Sequence, residues 1–479
     1  MRGHKNEKLT VLLIGSGGRE HVTAWKFLQS PHVGKLYVAP GNDGIAAMTW
    51  TEHGRGDGRD SRLERVPVRE PEEWLRLAQE KEADLTFVGP EQPLSSGIVD
   101  LFQAHGLAIF GPIQAAARLE SSKAYAKDLM AALGIPVPEY RHFDDPEAAR
   151  AYIRSRDYPV VVKADGLAAG KGSIVCDDTA EALAAVDTLM VERRFGAAGD
   201  RVVVERRLYG AEASFFCFTD GRAIKPMAWA RDYKPVFDGD QGPNTGGMGC
   251  YSPNHEIDPG MVEVIMQRIA LPLIEGLARL EGIVYRGILY IGLMLVEEQG
   301  ELNPYVLEIN VRMGDPEAQV IYPRLETDFV EICQAGIRGE LEDVKFSWSD
   351  DHYVCVCATS GRYKGRKGWY PGYPRRYGIG RPIRGLDQVS DDVLVFHAGT
   401  RWDPGSGCFR VHGGRVLSIV AGNATLAEAR ERVYREMAKI HFDGIHYRKD
   451  IAALAEGAPR RIAPTELALQ ESAPKGAIP

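Results

Sequence analysis

A five-residue segment near position 310 combines the side chains that bind a metal-held phosphate. In Glu-Ile-Asn-Val-Arg, the acidic, amide and basic residues Glu308, Asn310 and Arg312 stand two positions apart. Side chains of a β-strand alternate between faces, so these three would share one face, with about 7 Å between neighbours. Carboxylate and amide oxygens suit magnesium, and arginine neutralises phosphoryl charge. A solvent-facing polar stripe on an edge strand is the alternative, but the turn-forming residues 314–316 follow directly and favour a site.

A glycine-rich bend at residues 160–175 has the composition of a phosphate-binding loop without the Walker spacing. Only three residues separate two of its glycines where the Walker motif has four, and Lys171 is followed by Gly172 in place of Ser or Thr. Lys163 ends the preceding run of valines, where its ammonium can reach a phosphate beside free backbone N–H groups. If this motif is considered by itself, the alternative interpretation is a surface lysine beside a loose hairpin. The carboxylate and amide described above favour phosphate binding instead.

A second glycine turn follows the first apolar strand and opens a helix within residues 14–21. Glu20 stands where a dinucleotide fingerprint has its third glycine, so the fingerprint fails. A strand, a turn and a helix N-terminus still form an anion site, and Arg19 is available for a phosphate. An ordinary turn between a strand and a helix is the alternative.

Three other segments carry weaker signals. Residues 238–253 are rich in glycine and proline and predict an ordered functional loop without regular structure. Residues 361–384 contain eight Lys or Arg and five Tyr or Trp but no acid. Alternating basic and aromatic side chains are typical of proteins that bind single-stranded RNA. A run of charged residues is more commonly a solvent-exposed loop, which is the alternative here. Cys355 and Cys357 point the same way on a strand, which indicates core packing, and His397 reads as a satisfied polar residue at a strand end.

The elements that must position these residues predict a multidomain α/β and α+β protein. Apolar strands alternate with helices over residues 1–112, which predicts a Rossmann-like, doubly wound parallel sheet that binds substrate at the carboxyl ends of its strands. Residues 113–345 read as a central α+β domain with a small lid lobe at about 136–205. A mixed β/α domain is predicted for residues 346–455, and a disordered tail for residues 456–479.

A serine cap marks a helix at the start of the central domain. Ser121 or Ser122 precedes apolar residues at helical spacing, and Gly134 stands at the end. Lys123 would lie on the first turn of this helix.

Composition narrows the class of function. The chain has 479 residues, and its 44% hydrophobic content supplies cores for several domains. A net charge of -8 argues against nucleic-acid binding through the overall field and favours small-molecule chemistry. An odd number of scattered cysteines indicates reduced thiols and a cytoplasmic location. The first residues lack an apolar signal region, and no run of about eighteen apolar residues predicts a membrane span.

Together these segments resemble the ATP-grasp ligases, and among them the phosphoribosylamine–glycine ligase (glycinamide ribonucleotide synthetase) family. The resemblance runs from about Leu9 to Asp450 and rests on GSGGREH, APGN, VGPEQPL, SSKAYAKD, VVKADGLAAGKG, GPNTGGMG, EINVRMGDPE and KIHFDGIHYRKDI. It implies that the central domain is an ATP-grasp domain. It further implies ATP as co-substrate, Mg²⁺ or Mn²⁺, and glycine and 5-phosphoribosylamine as substrates, with the glycine loop closing over the ATP phosphates.

The resemblance also implies roles for individual residues. ATP would be bound by Lys123, Lys163, Gly170, Lys171, Gly172, Glu205, Leu208, Glu212 and Arg312. The metal would be bound by Glu308 and Asn310. The glycine and phosphoribosylamine sites would be formed by Gly17, Gly18, Arg19, Glu20, Asp232, Asn244, Thr245, Gly246, Gly247 and Asp315.

The chain departs from the family pattern in three places. ERRL stands where the family has EEFL, and DYKP where it has DHKR. The strand GILYIGLML offers no second carboxylate for a metal, so the number of bound metal ions, one or two, stays open.

The resemblance implies a reaction that forms glycyl phosphate from glycine and ATP and then transfers the glycyl group to the amine of the sugar. It implies a monomer or weak homodimer. The alternatives are an ATP-grasp carboxylase of the biotin or aminoimidazole type, and a catalytically silent nucleotide- or RNA-binding protein.

Overall fold

The computed structural model of the protein describes residues 8–48, 60–168, 170–365 and 368–453. The predicted tail at 456–479 lies outside the described residues. Within the described ranges, every helix falls short of the length and apolar character needed to cross a membrane.

The N-terminal region is a five-stranded parallel sheet flanked by helices. Its strands are β1 (Leu9–Gly15), β2 (Val33–Pro40), β3 (Leu63–Arg65), β4 (Leu85–Val88) and β5 (Ile109–Phe110). Its helices are α1 (Gly18–Gln29), α2 (Asp43–Ala46), α3 (Pro71–Glu80), α4 (Glu91–Ser95) and α5 (Ile98–Ala104). The strand order β3-β2-β1-β4-β5 reverses direction between β1 and β4, the switch point where such sheets bind ligands. The predicted doubly wound sheet is confirmed.

The lid lobe is a four-stranded antiparallel sheet of order β6-β9-β7-β8. Its elements and the two helices before it are α6 (Gln114–Ser121), α7 (Lys123–Ala132), β6 (Tyr140–Phe143), α8 (Pro146–Arg154), β7 (Val160–Ala164), β8 (Ser173–Val175), α9 (Thr179–Val186) and β9 (Val202–Arg206). Ser122 caps α7, because its hydroxyl accepts a hydrogen bond from the backbone N–H of Tyr125 at 3.2 Å. This confirms the predicted helix start and places Lys123 on the first turn.

The central region is built on a second antiparallel sheet, of order β11-β10-β16-β17, in which β17 is an edge strand. Its strands are β10 (Ala211–Thr219), β11 (Ile224–Pro226), β12 (Arg231–Asp232), β13 (Pro235–Phe237), β14 (Gln241–Asn244), β15 (Gly249–Ser252), β16 (Gly287–Glu298) and β17 (Glu301–Asn310). Its helices are α10 (Pro259–Ile265), α11 (Leu271–Glu281), α12 (Ala318–Ile321) and α13 (Phe329–Arg338).

The prediction that residues 238–253 lack regular structure is wrong. Strand β14 pairs with β13 to form a hairpin, and β15 joins a different sheet. Gly239 and Gly242 have φ values of 67° and 84°, which L side chains rarely adopt, so glycine allows the tight reversal between the strands. A ladder this short needs only backbone hydrogen bonds, and the alternating apolar pattern that marks longer strands is absent.

The C-terminal region centres on the sheet that β15 joins, of order β12-β15-β18-β24-β21, with β25 also on β18. Its elements are β18 (His352–Ser360), β19 (Arg362–Gly365), β20 (Gly368–Pro371), β21 (Leu394–His397), β22 (Thr400–Asp403), β23 (Cys408–Val411), β24 (Arg415–Asn423), α14 (Leu426–Met437) and β25 (Ile445–His446). The two cysteines of β18 are free and buried in the core, as predicted. This sheet takes strands from both sides of position 346, so it ties the central and C-terminal regions together.

Candidate active site

A cavity of about 1630 Å³ is lined by residues of the N-terminal, lid, central and C-terminal regions. It contains most of the residues singled out from the sequence: Arg19, Lys123, Lys163, Gly170, Lys171, Gly172, Glu205, Leu208, Glu212, Asp232, Asn244, Thr245, Gly246, Glu308, Asn310, Arg312 and Asp315. Segments far apart in the chain therefore meet around one space that is large enough for a nucleotide and small substrates.

Three of the predicted N-terminal residues, Gly17, Gly18 and Glu20, do not line the cavity. The carboxylate of Glu20 accepts hydrogen bonds from the backbone N–H of Gly17 at 2.5 Å and from Arg19 Nε at 2.7 Å. A Cβ atom on Gly17 or Gly18 would lie 3.6 or 3.7 Å from an Asp315 carboxylate oxygen. The Glu20 carboxylate therefore already accepts a hydrogen bond from the backbone N–H of Gly17 at the N-terminus of α1. Gly247 does not line the cavity either, and an added Cβ there would come within 2.4 Å of a neighbouring proline carbon.

Strand β17 presents the predicted metal ligands to the cavity. Glu308 pairs across the sheet with Gly292 and Asn310 pairs with Tyr290, so no second carboxylate faces them from β16. Within the described residues, the Glu308 carboxylate has no hydrogen bond and no ion pair. Burial would raise its pKa, but the ammonium groups of Lys234, Lys163 and Lys123 lower it overall. An ionised carboxylate without a contacting donor, beside an amide oxygen, fits a divalent cation.

Arg312 is fixed beside these ligands by two carboxylates. Its guanidinium bonds Glu120 Oε1 at 2.7 Å, Glu91 Oε2 at 3.3 Å and Asn310 Oδ1 at 3.3 Å. Burial would lower the pKa of Arg312, but Glu120 and then Glu91 raise it overall. The arginine is therefore permanently charged and held in place, and its contact with a phosphate stays a prediction.

Two buried lysines share the carboxylate of Glu205. Lys163 Nζ lies 2.8 Å from Glu205 Oε2, and Lys127 Nζ lies 3.2 Å from Oε1. The side chains of Lys163, Lys127 and Glu205 are only 7%, 2% and 1% exposed. Each lysine also donates to a carbonyl of the edge strand β17, Lys127 to Val306 at 2.9 Å and Lys163 to Leu307 at 2.9 Å. The group therefore joins α7 and the lid sheet to β17, the strand that carries the predicted metal ligands.

Sequence reasoning missed Lys127. Its position one helical turn after Lys123 on α7 was a readable signal, because residues four apart share a helix face. Burial lowers the pKa of Lys127 to about 8, against the opposing effect of Glu205.

Asp165 ties the glycine-rich bend to the start of α7. Its carboxylate accepts hydrogen bonds from the backbone N–H of Ala124 at 2.7 Å and from the Ser122 hydroxyl at 3.2 Å. Lys123 Nζ donates to the carbonyl of Gly166 at 3.2 Å. Burial lowers the pKa of Lys123, and the charge of Glu308 opposes that effect. The predicted phosphate-binding lysine thus lies between the glycine bend and the predicted metal ligand Glu308.

A second charged group lines another part of the cavity wall. Lys234 Nζ lies 3.0 Å from Asp232 Oδ1 and 3.3 Å from Glu212 Oε2. Burial raises the pKa of Asp232 to about 6, although Lys234 opposes the increase. Lys234 was not singled out from the sequence, where it appears inside the DYKP departure. Its ammonium group lies between Asp232, predicted to contact substrate, and Glu212, predicted to contact ATP.

The loop at residues 244–247 is held by side chains of the C-terminal region. Arg415 donates to the carbonyl of Gly246 at 2.8 Å and forms an ion pair with Asp315 Oδ2 at 3.0 Å. The hydroxyl of Tyr373 donates to the carbonyl of Asn244 at 3.1 Å. Neither side chain was predicted, because their partners lie 100 or more positions away and leave no local signal.

The basic and aromatic run at 361–384 lines part of the cavity. Its β19–β20 hairpin contributes Tyr363 and Tyr370 to the wall, and the following segment contributes Arg375. Arg366 and Lys367 lie outside the described residues. No group of three or more His, Cys, Asp or Glu side chains suited to a metal occurs in the part of the chain that is described.

Three family models match the chain. The model of the phosphoribosylglycinamide synthetase N domain matches residues 9–120, that of the ATP-grasp (A) domain matches residues 121–318, and that of the C domain matches residues 370–454. Their order along the chain is the order of the N-terminal sheet, the lid and central sheets, and the C-terminal sheet.

Relatives of known name cover nearly the whole chain. Phosphoribosylamine–glycine ligase of Caldanaerobacter subterraneus subsp. tengcongensis is 45% identical over 93% of this chain and 100% of its own length. The crystal structure of the ligase of that name from Thermotoga maritima has a TM-score of 0.75 at 32% identity, over 93% of this chain and 100% of its own. The biotin carboxylase domain of Hydrogenobacter thermophilus 2-oxoglutarate carboxylase, solved with MgADP and bicarbonate, shares the fold with a TM-score of 0.65 at 16% identity, covering 92% of each chain.

Proposed function

The chain belongs to the phosphoribosylglycinamide synthetase family, and we propose that it joins glycine to 5-phosphoribosylamine with the consumption of ATP. The products are glycinamide ribonucleotide, ADP and phosphate, a step of purine biosynthesis. One observation carries the proposal: a single cavity brings the ionised, uncontacted carboxylate of Glu308 together with Asn310, Lys123 and Lys163. In this family the corresponding cavity binds ATP with Mg²⁺ or Mn²⁺.

The chemistry explains why such a cavity is needed. A glycine carboxylate does not acylate an amine, so one carboxylate oxygen first takes the γ-phosphoryl group of ATP and releases ADP. The amine of 5-phosphoribosylamine then attacks the carbonyl carbon of glycyl phosphate, the amide bond forms, and phosphate leaves with the C–O bond electrons. Phosphoryl transfer requires positioning and charge stabilisation more than a protein nucleophile.

The ATP end of the cavity supplies those two requirements. Glu308 and Asn310 would hold the divalent cation, which neutralises charge on the transferred phosphate. Lys123 and Lys163 would bind the phosphates, with the backbone of Gly170, Lys171 and Gly172 beside them and Arg312 near the metal ligands. Glu205, Leu208 and Glu212 lie in the same cavity and would contact the nucleoside. Glu205 already fixes two lysines, so in our proposal it orients cations as well as nucleotide.

The other end would bind the two substrates of the amide bond. Asp232 and Asp315 offer carboxylates for the glycine ammonium group, with Asn244, Thr245, Gly246 and Gly247 forming the adjacent loop. Arg19 lines the cavity and would help to bind the phosphoribosyl group. Gly17, Gly18 and Glu20 would support it from outside the lining, Glu20 by accepting the hydrogen bond from Arg19 Nε.

The division of the chain and its state in the cell are part of the same proposal. Residues 1–112, 113–345 and 346–455 would be the domains, with the lid lobe at 136–205. The protein would act in the cytoplasm, as a monomer or weak homodimer.

The test is ADP release with glycine and freshly generated 5-phosphoribosylamine, compared for the wild type, Glu308→Ala and Glu301→Ala. Glu301 begins the same strand but is exposed and outside the cavity, so it is the matched control. We expect Glu308→Ala to lose activity by about a hundredfold or more with an unchanged melting temperature, and Glu301→Ala to match the wild type. ADP release that depends on bicarbonate in place of glycine would refute the proposal, and equal activity of both variants would refute the metal assignment.

A further inference from the structure

Three cations from separate segments face the same part of the cavity with too few carboxylates to neutralise them. Lys171 belongs to the glycine-rich bend, Arg375 to the basic and aromatic run, and Arg415 to β24, and all three line the cavity. Arg415 has an ion pair with Asp315 at 3.0 Å. Within the described residues, neither Lys171 nor Arg375 has a carboxylate within ion-pair distance.

Backbone contacts hold the three segments together. A Cβ atom on Gly170 would lie 3.7 Å from the Cα of Gly246, and one on Gly246 would lie 3.5 Å from Arg415 Nη2. A Cβ on Gly414 would come within 2.6 Å of the backbone nitrogen of Arg375. The bend that carries Lys171 therefore touches the loop beside Arg415, and Arg375 packs against the residue that precedes Arg415.

Aromatic rings orient the exposed member of this group. The guanidinium carbon of Arg375 lies 5.2 Å from the ring centroid of Tyr363 and 6.0 Å from that of Tyr373. Tyr373 is also bonded to the carbonyl of Asn244, so the same ring supports both Arg375 and the predicted substrate loop. An arginine held over aromatic faces keeps its forked N–H groups available for a planar or tetrahedral anion.

The three side chains are close enough to repel one another electrostatically. Burial lowers the pKa of Lys171, and the positive charges of Arg375 and Arg415 lower it further. Like charges gathered without counter-charges destabilise the free protein and favour a doubly charged anion.

The anion site predicted at the N-terminal glycine turn is a poor alternative for a phosphate. Glu20 accepts the Gly17 N–H at 2.5 Å, and Arg19 is paired with the same carboxylate at 2.7 Å. Asp315 adds a second negative group beside both glycines. A phosphate placed there would face two carboxylates and displace a hydrogen bond that the helix already has.

We propose that Lys171, Arg375 and Arg415 bind a phosphate monoester dianion, and that its source is the 5-phosphate of the sugar substrate. The identity of that substrate rests on the proposed function. The sugar is favoured over ATP because Arg415 donates to the carbonyl of Gly246, and Arg375 lies over the ring of Tyr373, whose hydroxyl bonds the carbonyl of Asn244. The lysines of the ATP end lie instead on α7 and β7. Arg375 and Arg415 have no place in the ATP site described above.

The test compares Arg375→Gln with Arg376→Gln in the full chain. Arg376 is the next residue, equally exposed, but outside the cavity, so it controls for loss of a surface charge. Ribose 5-phosphate is titrated into each protein by calorimetry, with ribose and inorganic phosphate as separate arms. KM for phosphoribosylamine and for ATP is measured in parallel, and melting temperatures check folding.

We expect Arg375→Gln to weaken ribose 5-phosphate binding and to raise KM for phosphoribosylamine by about tenfold each, with KM for ATP unchanged and Arg376→Gln like the wild type. A rise in KM for ATP with unchanged ribose 5-phosphate binding would overturn the sugar assignment and give the cations to the nucleotide. Equal behaviour of the two variants would overturn the site. The titration does not require turnover, so the two proposals can fail separately. If ribose 5-phosphate binding depends on Arg375 but the protein releases no ADP in response to glycine, the proposed function is refuted and the phosphate site stands.

Discussion

The cavity contains two groups of cations that differ in how their charge is balanced. We call Lys127 and Lys163, with Glu205 between them, the inner group, and Lys171, Arg375 and Arg415 the outer group. Each inner lysine has both a carboxylate and a main-chain carbonyl before any ligand arrives. Among the residues that the structure describes, the outer group has one ion pair for three cations. The protein balances the inner charges itself and leaves most of the outer charge for a ligand.

Burial explains this difference. Removing an ion from water costs several kcal/mol, so the inner lysines could not remain charged in the interior without partners. The outer group is more exposed: Arg375 is exposed, Lys171 is half-buried, and the Arg415 side chain is 24% exposed. Solvent screens charge there, so unpaired cations cost less than in the interior. We therefore expect inner substitutions to change stability first and outer substitutions to change ligand affinity first.

The largest expected effect comes from breaking the inner group. Glu205→Gln leaves two buried lysines without a carboxylate, and we expect the free energy of unfolding to fall by about 3–5 kcal/mol. The measurement is urea unfolding at neutral pH. Glu139→Gln removes one partner of the exposed pair with Arg156, at 3.4 Å, and should cost less than about 1 kcal/mol. Equal losses for the two variants would contradict the role of burial.

A smaller effect should appear in the pH dependence of stability through Asp232. Burial raises its folded pKa from 3.8 to about 6, with Glu317 and Glu308 adding to the increase and Lys234 opposing it. The native state then binds more protons than the unfolded state between these values. The stability from this group is therefore complete below about pH 4 and lost as the pH rises through about 6.

The test follows the free energy of unfolding from pH 4 to 7 for the wild type, Asp232→Asn and Asp157→Asn. The wild type should lose about 2–3 kcal/mol relative to Asp232→Asn over this range. Asp157→Asn is the control for removal of an exposed carboxylate. Parallel curves for the wild type and Asp232→Asn would contradict the raised pKa.

Local rules predicted much of the fold and part of the site. The two-residue period of a strand places Glu308 and Asn310 on one face, and the Ser122 cap marks the start of α7, because both depend only on neighbouring residues. The alternation of apolar strands and helices likewise predicted the parallel sheet. Glu20 was also readable, since a glutamate three residues after a helix cap position commonly bonds back to it.

Long-range partners could not be predicted. Lys127 on helix α7 pairs with Glu205 on strand β9, 78 positions later, and the Arg415 guanidinium contacts Asp315 across a separation of 100 residues. The residues next to Lys127 and Arg415 in the sequence give no indication of these contacts. The hairpin of β13 and β14 was missed for a different reason, since strands of three and four residues are too short to show a period.

The outer group predicts an effect of opposite sign from the inner group. Lys171→Gln removes one of three like charges, so we expect the free energy of unfolding to rise by about 0.5 kcal/mol at low ionic strength. The gain should disappear in about 0.5 M salt, where the Debye length is only a few ångströms. Unfolding curves at the two salt concentrations measure both values. A loss of stability at low salt would show that the group is balanced within the protein, as the inner group is.

The smallest effect concerns Tyr363, which connects the lid lobe to the outer group. Arg194 of the lid lobe donates a hydrogen bond to the Tyr363 hydroxyl and stacks on its ring at 4.6 Å, and Arg375 lies over the same ring at 5.2 Å. Tyr363→Phe removes only the hydroxyl, and an exposed hydrogen bond of this kind contributes less than about 1 kcal/mol, so the variant should keep its KM for phosphoribosylamine. Tyr363→Ala also removes the ring that orients Arg375, and KM for phosphoribosylamine should rise about threefold while KM for ATP stays constant. If the two variants raise KM equally, the hydroxyl contact with the lid lobe matters, and the ring does not act by holding an outer cation in place.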